Sequence, residues 1–156
     1  MKIEIERKYL VIKDLWSAPG QGVFYRQAYL SVTERAAVRV RIIGNEGELS
    51  IKSKASGLSR QEFEYSIPLL DGEKLLNLCP FPALEKIRYK IKFGNHTWEV
   101  DEFKGLNEGL IIGEVELDSE DESILLPPWA GREVTGEKRY YNADLYGFPF
   151  KKWDQR

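Results

Sequence analysis

The chain has 156 residues and a net charge of −2, with 42% apolar and 31% charged side chains. This composition predicts a globular chain with one core, so we expect a single domain over residues 1–156. The near-cancellation of acidic and basic residues argues against nucleic-acid binding, which usually requires a basic excess. The sequence also lacks a run of about 20 apolar residues, so we expect no membrane span.

The single cysteine and the single histidine restrict the chemistry further. Cys79 has no partner for an internal disulfide, which favours a reducing, cytoplasmic location. The N-terminus lacks the apolar stretch of a signal peptide, which agrees with that location. His96 has no second histidine and only one cysteine to share a zinc ion with. Any bound metal would therefore need carboxylate ligands.

Eight strands are predicted from the alternation of apolar and polar residues. In chain order they span residues 3–11, 25–33, 37–43, 48–55, 60–67, 85–93, 97–103 and 110–117. Gly-Asn pairs at 44–45 and 94–95 predict tight turns between neighbouring strands. The fold class is therefore α+β and mainly β, with a largely antiparallel sheet.

Three short helical segments are predicted beside the strands. The first spans residues 71–78, with Asp71 as its N-cap and Pro80 after its end. The second spans residues 118–126, because acidic residues fill its first turn and two prolines follow it. A final turn is predicted over residues 142–146, ended by a glycine.

Nearly every predicted strand has one apolar face and one charged face, since residues two apart share a face. The charges are sorted by strand: Glu4 and Glu6 are acidic, whereas Arg39 and Arg41 are basic. Such alternation is typical of an antiparallel sheet with its polar face in water. Like charges on one face are unfavourable, however, unless opposite charges, a metal or a ligand lie nearby. If the sheet closes with its charged faces inward, about eight strands would enclose one small ligand.

A closed interior of this kind would favour a polyanion bridged by a divalent metal. Carboxylates without histidine or cysteine suit Mg²⁺ or Mn²⁺. Arginine and lysine would contact the phosphate oxygens. Phosphoryl transfer needs little beyond the metal, these cations and a positioned water.

The segment Glu4-Ile5-Glu6-Arg7-Lys8 resembles the Glu-x-Glu-x-Lys signature of the CYTH superfamily, the triphosphate tunnel metalloenzymes. The similarity to short bacterial members continues along most of the chain. The further matching segments are residues 27–30, 39–41, 51–53, 60–65, 86–89, 98–101, 113–117 and 134–140. The resemblance implies a closed eight-stranded antiparallel tunnel barrel with a few short flanking helices, whose lumen binds a triphosphate.

The resemblance also implies roles for individual residues. The implied metal ligands are Glu4, Glu6, Asp101, Glu114 and Glu116. The implied phosphate contacts are Lys8, Arg39, Arg41, Lys52, Lys86, Arg88 and Lys138. Tyr29 corresponds to a proposed proton acceptor, or alternatively to a structural hydroxyl, with Lys8, Arg41 and Lys52 as further catalytic residues. Glu62 and Glu64 would position water or a base.

Inorganic triphosphate is the expected substrate, hydrolysed to diphosphate and phosphate with Mg²⁺ or Mn²⁺. The sequence offers many phosphate contacts and no evident pocket for an organic group. Two alternatives stay open: hydrolysis of thiamine triphosphate or a nucleoside triphosphate, and non-catalytic binding of polyphosphate or phosphorylated ligands. Class IV adenylate cyclase activity is disfavoured, because the His-Phe pair that precedes the signature in those relatives is missing. A homodimer is compatible with a tunnel of this size.

Overall fold

A computed structural model describes residues 1–155, which form nine strands, two α-helices and four short 3-10 helices. The strands are β1 (Lys2–Val11), β2 (Val23–Val32), β3 (Ala36–Ile43), β4 (Glu46–Ser53), β5 (Ser59–Ile67), β6 (Leu84–Phe93), β7 (His96–Phe103), β8 (Ile111–Glu116) and β9 (Ala130–Glu133). The helices are α1 (Leu69–Leu78) and α2 (Asn142–Gly147). The 3-10 helices span Lys13–Leu15, Gly105–Asn107, Lys138–Tyr140 and Phe150–Gln155.

Eight of the strands form a closed antiparallel barrel. Their order around the wall is β5-β4-β3-β2-β6-β7-β8-β1, and pairing of β1 with β5 closes the ring. Closure pairs every strand on both sides and so leaves no open sheet edge. This architecture confirms the predicted mainly β barrel with few helices. The short strand β9, which the sequence analysis missed, pairs with β1 outside the ring.

Two tight hairpins connect barrel strands as predicted. Gly44 and Gly94 each occupy the first position of a two-residue turn and have positive φ values of 59° and 61°. A glycine with positive φ at this position matches a type II′ turn, whose twist suits paired antiparallel strands. The two Gly-Asn pairs therefore set the register of β3 with β4 and of β6 with β7.

The outer face of β1, β7 and β8 is packed around Trp98, which is fully buried. The rings of Tyr9 and Trp129 each lie 5.4 Å from the Trp98 ring. The prediction of a helix over residues 118–126 is wrong, because this segment forms only a turn and then an extended stretch. A carboxylate oxygen of Glu120 accepts a hydrogen bond from the backbone of another loop. Ile124 in the same segment packs against the cluster around Trp98.

Helix α1 covers the outer face of β3 and β4. At Gly72 an added Cβ would lie 2.7 Å from the terminal methyl of Ile42, so any larger residue would require Ile42 to shift. The prediction of Asp71 as N-cap is wrong: Pro68 is the N-cap and makes no side-chain bond. Asp71 lies in the first turn, where its charge still favours the helix dipole. The predicted turn over residues 142–146 is confirmed as α2. Neither described helix is long and apolar enough to cross a membrane.

Candidate active site

A central cavity of about 830 Å³ is lined by the charged faces of seven barrel strands and by two tyrosines of β2. The charged faces therefore point inward, as the barrel interpretation predicts, rather than into bulk water. The short segment 141–143, which follows the strands, also lines the cavity. This cavity brings together most of the residues that the sequence analysis selected.

The strand order sorts the lining charges into two opposing walls, because β2 lies across the ring from β1. We call the first the cationic wall, which surrounds the tyrosines of β2. Its members are Tyr25, Tyr29, Arg39, Arg41, Lys86 and Arg88. We call the second the carboxylate wall, which lies on β1, β7 and β8. Its members are Glu4, Glu6, Glu99, Glu114 and Glu116.

The β6 part of the cationic wall is supported by Asp101 on β7. Arg88 donates two hydrogen bonds to this carboxylate, at 2.7 and 2.8 Å, and Lys86 Nζ donates another at 2.8 Å. Burial works against the charged carboxylate, but Arg88 and Lys86 outweigh it and lower the pKa of Asp101. Burial, with repulsion from Arg88, lowers the pKa of Lys86 to about 7. Asp101 is fully buried behind the wall and does not line the cavity.

The β3 part of the cationic wall contains Arg39, whose side chain has unused donors. Its Nε and Nη2 atoms are buried and have no hydrogen-bond partner in the described part of the chain. Its nearest carboxylate, Glu48, lies 3.8 Å away and bonds Arg41 at 2.6 Å instead. Burial and the neighbouring Arg41 lower the pKa of Arg39. An anion in the cavity would satisfy these donors, since buried guanidinium groups normally have acceptors.

The carboxylate wall places like charges directly opposite one another. Glu6 faces Glu116 in the β1–β8 register, and Glu99 faces Glu114 in the β7–β8 register. Burial and the nearby Glu114 raise the pKa of Glu6 to about 7. Burial alone would also raise the pKa of Glu114, but Lys8 at 3.1 Å and Arg88 hold it well below its usual value. Each carboxylate of the wall also has a lysine or arginine nitrogen within 3.4 Å, so a bound metal would compete with these cations.

The donor chemistry of the carboxylate wall fits a hard divalent cation. The wall offers carboxylate oxygens as ligand atoms, which Mg²⁺ and Mn²⁺ prefer. A cation beside Glu6, Glu114 and Glu116 would offset the repulsion between them. Within residues 1–155, no three acidic, histidine or cysteine side chains already converge as a ligand group. Metal binding would therefore require small side-chain rotations on this wall.

A mixed ion-pair network joins β1 to β4 and β5. Lys52 Nζ lies 3.0 Å from Glu4 and 3.1 Å from Glu62. Burial opposes the charge on Glu62, but Lys52 outweighs it and lowers its pKa to about 2. By contrast, burial and a hydrogen bond with Glu62 raise the pKa of Glu64. Both acidic residues of β5 line the cavity, and their role in orienting water or a base stays a prediction.

Some residues of the cavity were missed by the sequence analysis. Arg60 lies 3.3 Å from Glu4 and 3.4 Å from Glu6, and its two-residue spacing from Glu62 was the available signal. Tyr141 and Asn142 follow the last strand, so no alternation could reveal them. The Tyr141 ring lies 5.2 Å from Lys8 Nζ, and Asn142 Oδ1 accepts a hydrogen bond from Lys86 at 2.9 Å. The segment thus contacts lining residues of both β1 and β6.

The cavity contains most, but not all, of the selected residues. Those that line it are Glu4, Glu6, Lys8, Tyr29, Arg39, Arg41, Lys52, Glu62, Glu64, Lys86, Arg88, Glu114 and Glu116. Lys138 is exposed and Asp101 is buried, and neither lines the cavity. The assignment of individual ligands and phosphate contacts stays a prediction.

Comparisons with known proteins agree with this geometry. The CYTH domain family model matches residues 2–144. The chain is 44% identical over 153 residues to an inorganic triphosphatase of Acetivibrio thermocellus, covering 97% of this chain and 98% of that protein. It is 39% identical over 150 residues to an inorganic triphosphatase of Nitrosomonas europaea, covering 91% and 95% of the two chains.

A solved structure shows the same architecture. The crystal structure of an inorganic triphosphatase superposes with a TM-score of 0.66 at 36% identity. The match covers 91% of this chain and 96% of that one. Since the family model covers most of the sequence, and both relatives match over nearly their full length, the chain belongs to the CYTH domain family.

Proposed function

We propose that the chain hydrolyses inorganic triphosphate to diphosphate and phosphate with the help of Mg²⁺ or Mn²⁺. The observation that carries this proposal is the pair of opposing walls, one cationic and one rich in carboxylates, around one closed cavity. A bare anion binder would gain nothing from the second wall. The two relatives in the comparisons are named inorganic triphosphatases, which supports the same reaction.

The cationic wall binds the phosphate oxygens in this proposal. The unused donors of Arg39 face a lumen in which Arg41, Arg88 and Lys86 add further positive charge. Guanidinium groups suit this role because their paired N–H donors match phosphate oxygens. Lys8 and Lys52 contact the substrate from the opposite side, and Lys138 would reach it only from outside the cavity.

The carboxylate wall holds the metal. Glu4, Glu6, Glu114 and Glu116 are the proposed ligands, and Asp101 would act on the metal only through water or after rearrangement. When bound, a divalent metal neutralises charge on the phosphate oxygens and on the leaving group. The choice of carboxylates without histidine or cysteine supports Mg²⁺ or Mn²⁺.

The bond changes are those of a simple hydrolysis. A water oxygen attacks a terminal phosphorus, the bridging P–O bond breaks, and diphosphate leaves with the bonding electrons. Tyr29 is the proposed acceptor of the proton that the water loses. Glu62 or Glu64 is a proposed partner for that water on the β5 side of the cavity.

An inorganic substrate is favoured because the aromatic faces in the cavity are already occupied. Arg41, Lys86 and Arg88 lie 5.0 to 5.7 Å from the centre of the Tyr25 ring. Lys8 and Arg60 lie over the Tyr141 ring. These cations compete with a nucleobase or a thiamine ring for the faces of Tyr25 and Tyr141, so organic triphosphates should be poorer substrates.

The proposal is tested by measuring phosphate release from inorganic triphosphate, ATP and thiamine triphosphate, each with Mg²⁺, Mn²⁺ or a chelator. We expect metal-dependent release that is fastest from inorganic triphosphate. Faster release from an organic triphosphate would change the substrate class. Tight binding of inorganic triphosphate without any release would favour a non-catalytic binding protein.

A further inference from the structure

We propose that Gln27 and Asn142 are positioning residues that orient the hydroxyl group of Tyr29 through a chain of hydrogen bonds starting at Lys86. This inference rests on the proposed hydrolysis of triphosphate, because it assigns Tyr29 a role in that reaction. Neither Gln27 nor Asn142 needs to touch the substrate for the chain to act. The inference concerns only side chains of this protein.

The chain consists of three contacts between four side chains. Lys86 Nζ donates to Asn142 Oδ1 at 2.9 Å. Gln27 Nε2 lies 3.4 Å from the same Asn142 oxygen and also 3.4 Å from the Tyr29 hydroxyl oxygen. Gln27 and Tyr29 are two residues apart on β2 and share a face of the strand. Gln27 is fully buried, so water cannot replace these partners readily.

The contacts of Lys86 set the direction of the bonds in the chain. Lys86 Nζ donates to the Asp101 carboxylate and to Asn142, so Asn142 presents its amide oxygen to Lys86. The same oxygen faces Gln27, which must therefore present its NH₂ group rather than its carbonyl oxygen. The second N–H of this NH₂ group then points to the Tyr29 oxygen. The reverse orientation of Gln27 would bring two amide oxygens together.

The fixed orientation of the Gln27 amide also affects the Tyr29 hydroxyl group. Because Gln27 donates to the Tyr29 oxygen, this contact stays favourable when the oxygen carries no hydrogen, as it must in order to accept a proton. A donor aimed at this oxygen also stabilises negative charge that develops there. The Tyr29 ring also packs against Tyr146, and the centroids of the two rings are 5.6 Å apart. Both the ring and the hydroxyl group of Tyr29 are therefore positioned.

The barrel strands alone do not supply this arrangement. Gln27 Oε1 is buried and has no donor in the described part of the chain. Such an unsatisfied acceptor is unfavourable, and a free Gln27 would gain by rotating its amide toward a donor. Asn142, on the cavity-lining segment 141–143, disfavours that rotation because its oxygen faces the Gln27 amide. A residue outside the barrel strands thus orients a residue of β2.

The first test is a kinetic double-mutant cycle with inorganic triphosphate and Mg²⁺, using the full chain. Gln27→Met keeps the volume but removes the donor, so we expect kcat to fall about tenfold, the effect of one buried hydrogen bond, with KM nearly unchanged. In a Tyr29→Phe background the same change should have almost no effect on kcat. Equal losses in both backgrounds, or no loss in the wild-type background, would overturn the inference.

The second test does not depend on turnover. The measurement is the NMR spectrum of protein labelled with ¹³C at tyrosine Cζ, in which the Tyr29 resonance is identified by its loss in Tyr29→Phe. We expect the chemical shift of this resonance to change in Gln27→Met and in Asn142→Leu, although Asn142 does not contact Tyr29. Asn142→Asp retains an acceptor oxygen and should leave the signal close to its wild-type position.

Tyr146→Phe is the matched control for the second test, because it removes a hydroxyl group bonded only to Phe81 while keeping the ring against Tyr29. An Asn142→Leu shift no larger than the Tyr146→Phe shift would overturn the inference. A wild-type protein that hydrolyses triphosphate but fails either test leaves the proposed function intact. A wild-type protein without hydrolysis removes the proposed function and the inference with it.

Discussion

The two walls of the cavity carry similar numbers of charges but neutralise them in different ways. On the β6 part of the cationic wall, Arg88 and Lys86 are paired with the buried Asp101 at 2.7 to 2.8 Å. On the carboxylate wall, Glu6 faces Glu116 and its pKa is raised to about 7 by burial and by Glu114. The cationic wall is therefore largely preassembled, whereas the carboxylate wall is incomplete without a cation.

This difference separates residues that stabilise the barrel from residues that serve its ligands. A charge with a short, buried partner contributes to folding, and removing its partner leaves an unpaired charge. A charge that lacks a close partner, such as Arg39, or one that a like charge opposes, such as Glu6 beside Glu114, is held at a cost to stability. Substituting a residue with a short, buried partner should therefore lower mainly the stability. Substituting a residue without one should lower mainly the activity.

The largest effect on activity is expected for Glu6→Gln on the carboxylate wall. Loss of a charged metal ligand should lower kcat for triphosphate about 100-fold or more. The free energy of unfolding without metal should stay the same or rise, because glutamine is not repelled by Glu114. Phosphate release and urea unfolding measure the two quantities. Glu73→Gln on α1 is the control, and full activity in Glu6→Gln would contradict the metal assignment.

Arg39→Met should have the next largest effect. Removal of its donors should lower kcat/KM about 10- to 100-fold, as expected for lost contacts to a charged phosphate. Stability of the ligand-free protein should not fall, since the unpaired Nε and Nη2 atoms disappear with the substitution. Arg26→Met, which removes a guanidinium paired with Glu73 outside the barrel, is the matched control. A loss of stability without a change in kcat/KM would mean that Arg39 stabilises the barrel and does not bind phosphate.

Asp101→Ala should act mainly on stability. Leaving Arg88 and Lys86 without their buried partner should lower the free energy of unfolding by about 3–5 kcal/mol. The stabilisation that Mg²⁺ and triphosphate add should persist, because Asp101 lies behind the cavity. Urea unfolding with and without these ligands measures both effects. If the ligand-induced stabilisation disappears while the fold remains, Asp101 is a metal ligand, as the family resemblance implies.

Ligand binding should stabilise the wild-type protein by a smaller amount. Inorganic triphosphate and Mg²⁺ together, each at about 100 times its dissociation constant, should add about 2.7 kcal/mol or more. The stabilisation should be smaller with triphosphate and a chelator, because repulsion on the carboxylate wall would remain. Thermal unfolding in the four conditions gives this comparison. An unchanged Tm with both ligands would count against a binding cavity.

The smallest effect is expected for Lys138→Met. Lys138 is exposed and does not line the cavity, so kcat/KM should change less than about twofold, as for most surface substitutions. Steady-state kinetics with triphosphate measure this directly. A loss comparable to that of Arg39→Met would mean that the 3-10 helix at Lys138–Tyr140 turns toward the substrate.

The strands and most of the cavity were predictable because both depend on two-residue alternation. This pattern located all eight barrel strands and showed that residues such as Arg39 and Arg41 share a face. It could not locate β9, which is four residues long and begins Ala-Gly. The alternation alone could not show whether the charged faces point into a barrel or into solvent, since a sheet exposed to water has the same pattern. The family resemblance was needed to predict that they point inward.

Features that depend on distant contacts were not predictable. The acidic turn of residues 118–126 has the composition of a helix start, but contacts with other loops and with Trp98 keep it extended. The family resemblance grouped Asp101 with the metal ligands, yet its partners on β6 hold it behind the wall. Asn142 lines the cavity from the start of α2, after the last strand, and no local pattern records that position.

The most direct test of the two-wall arrangement is a crystal structure with Mn²⁺ and inorganic triphosphate, using the anomalous signal of manganese. We predict a manganese peak inside the lumen, coordinated by carboxylate oxygens of Glu6 and of Glu114 or Glu116, with phosphate oxygens bonded to Arg39. A manganese peak only outside the barrel, or triphosphate bound in the lumen without metal, would contradict the account.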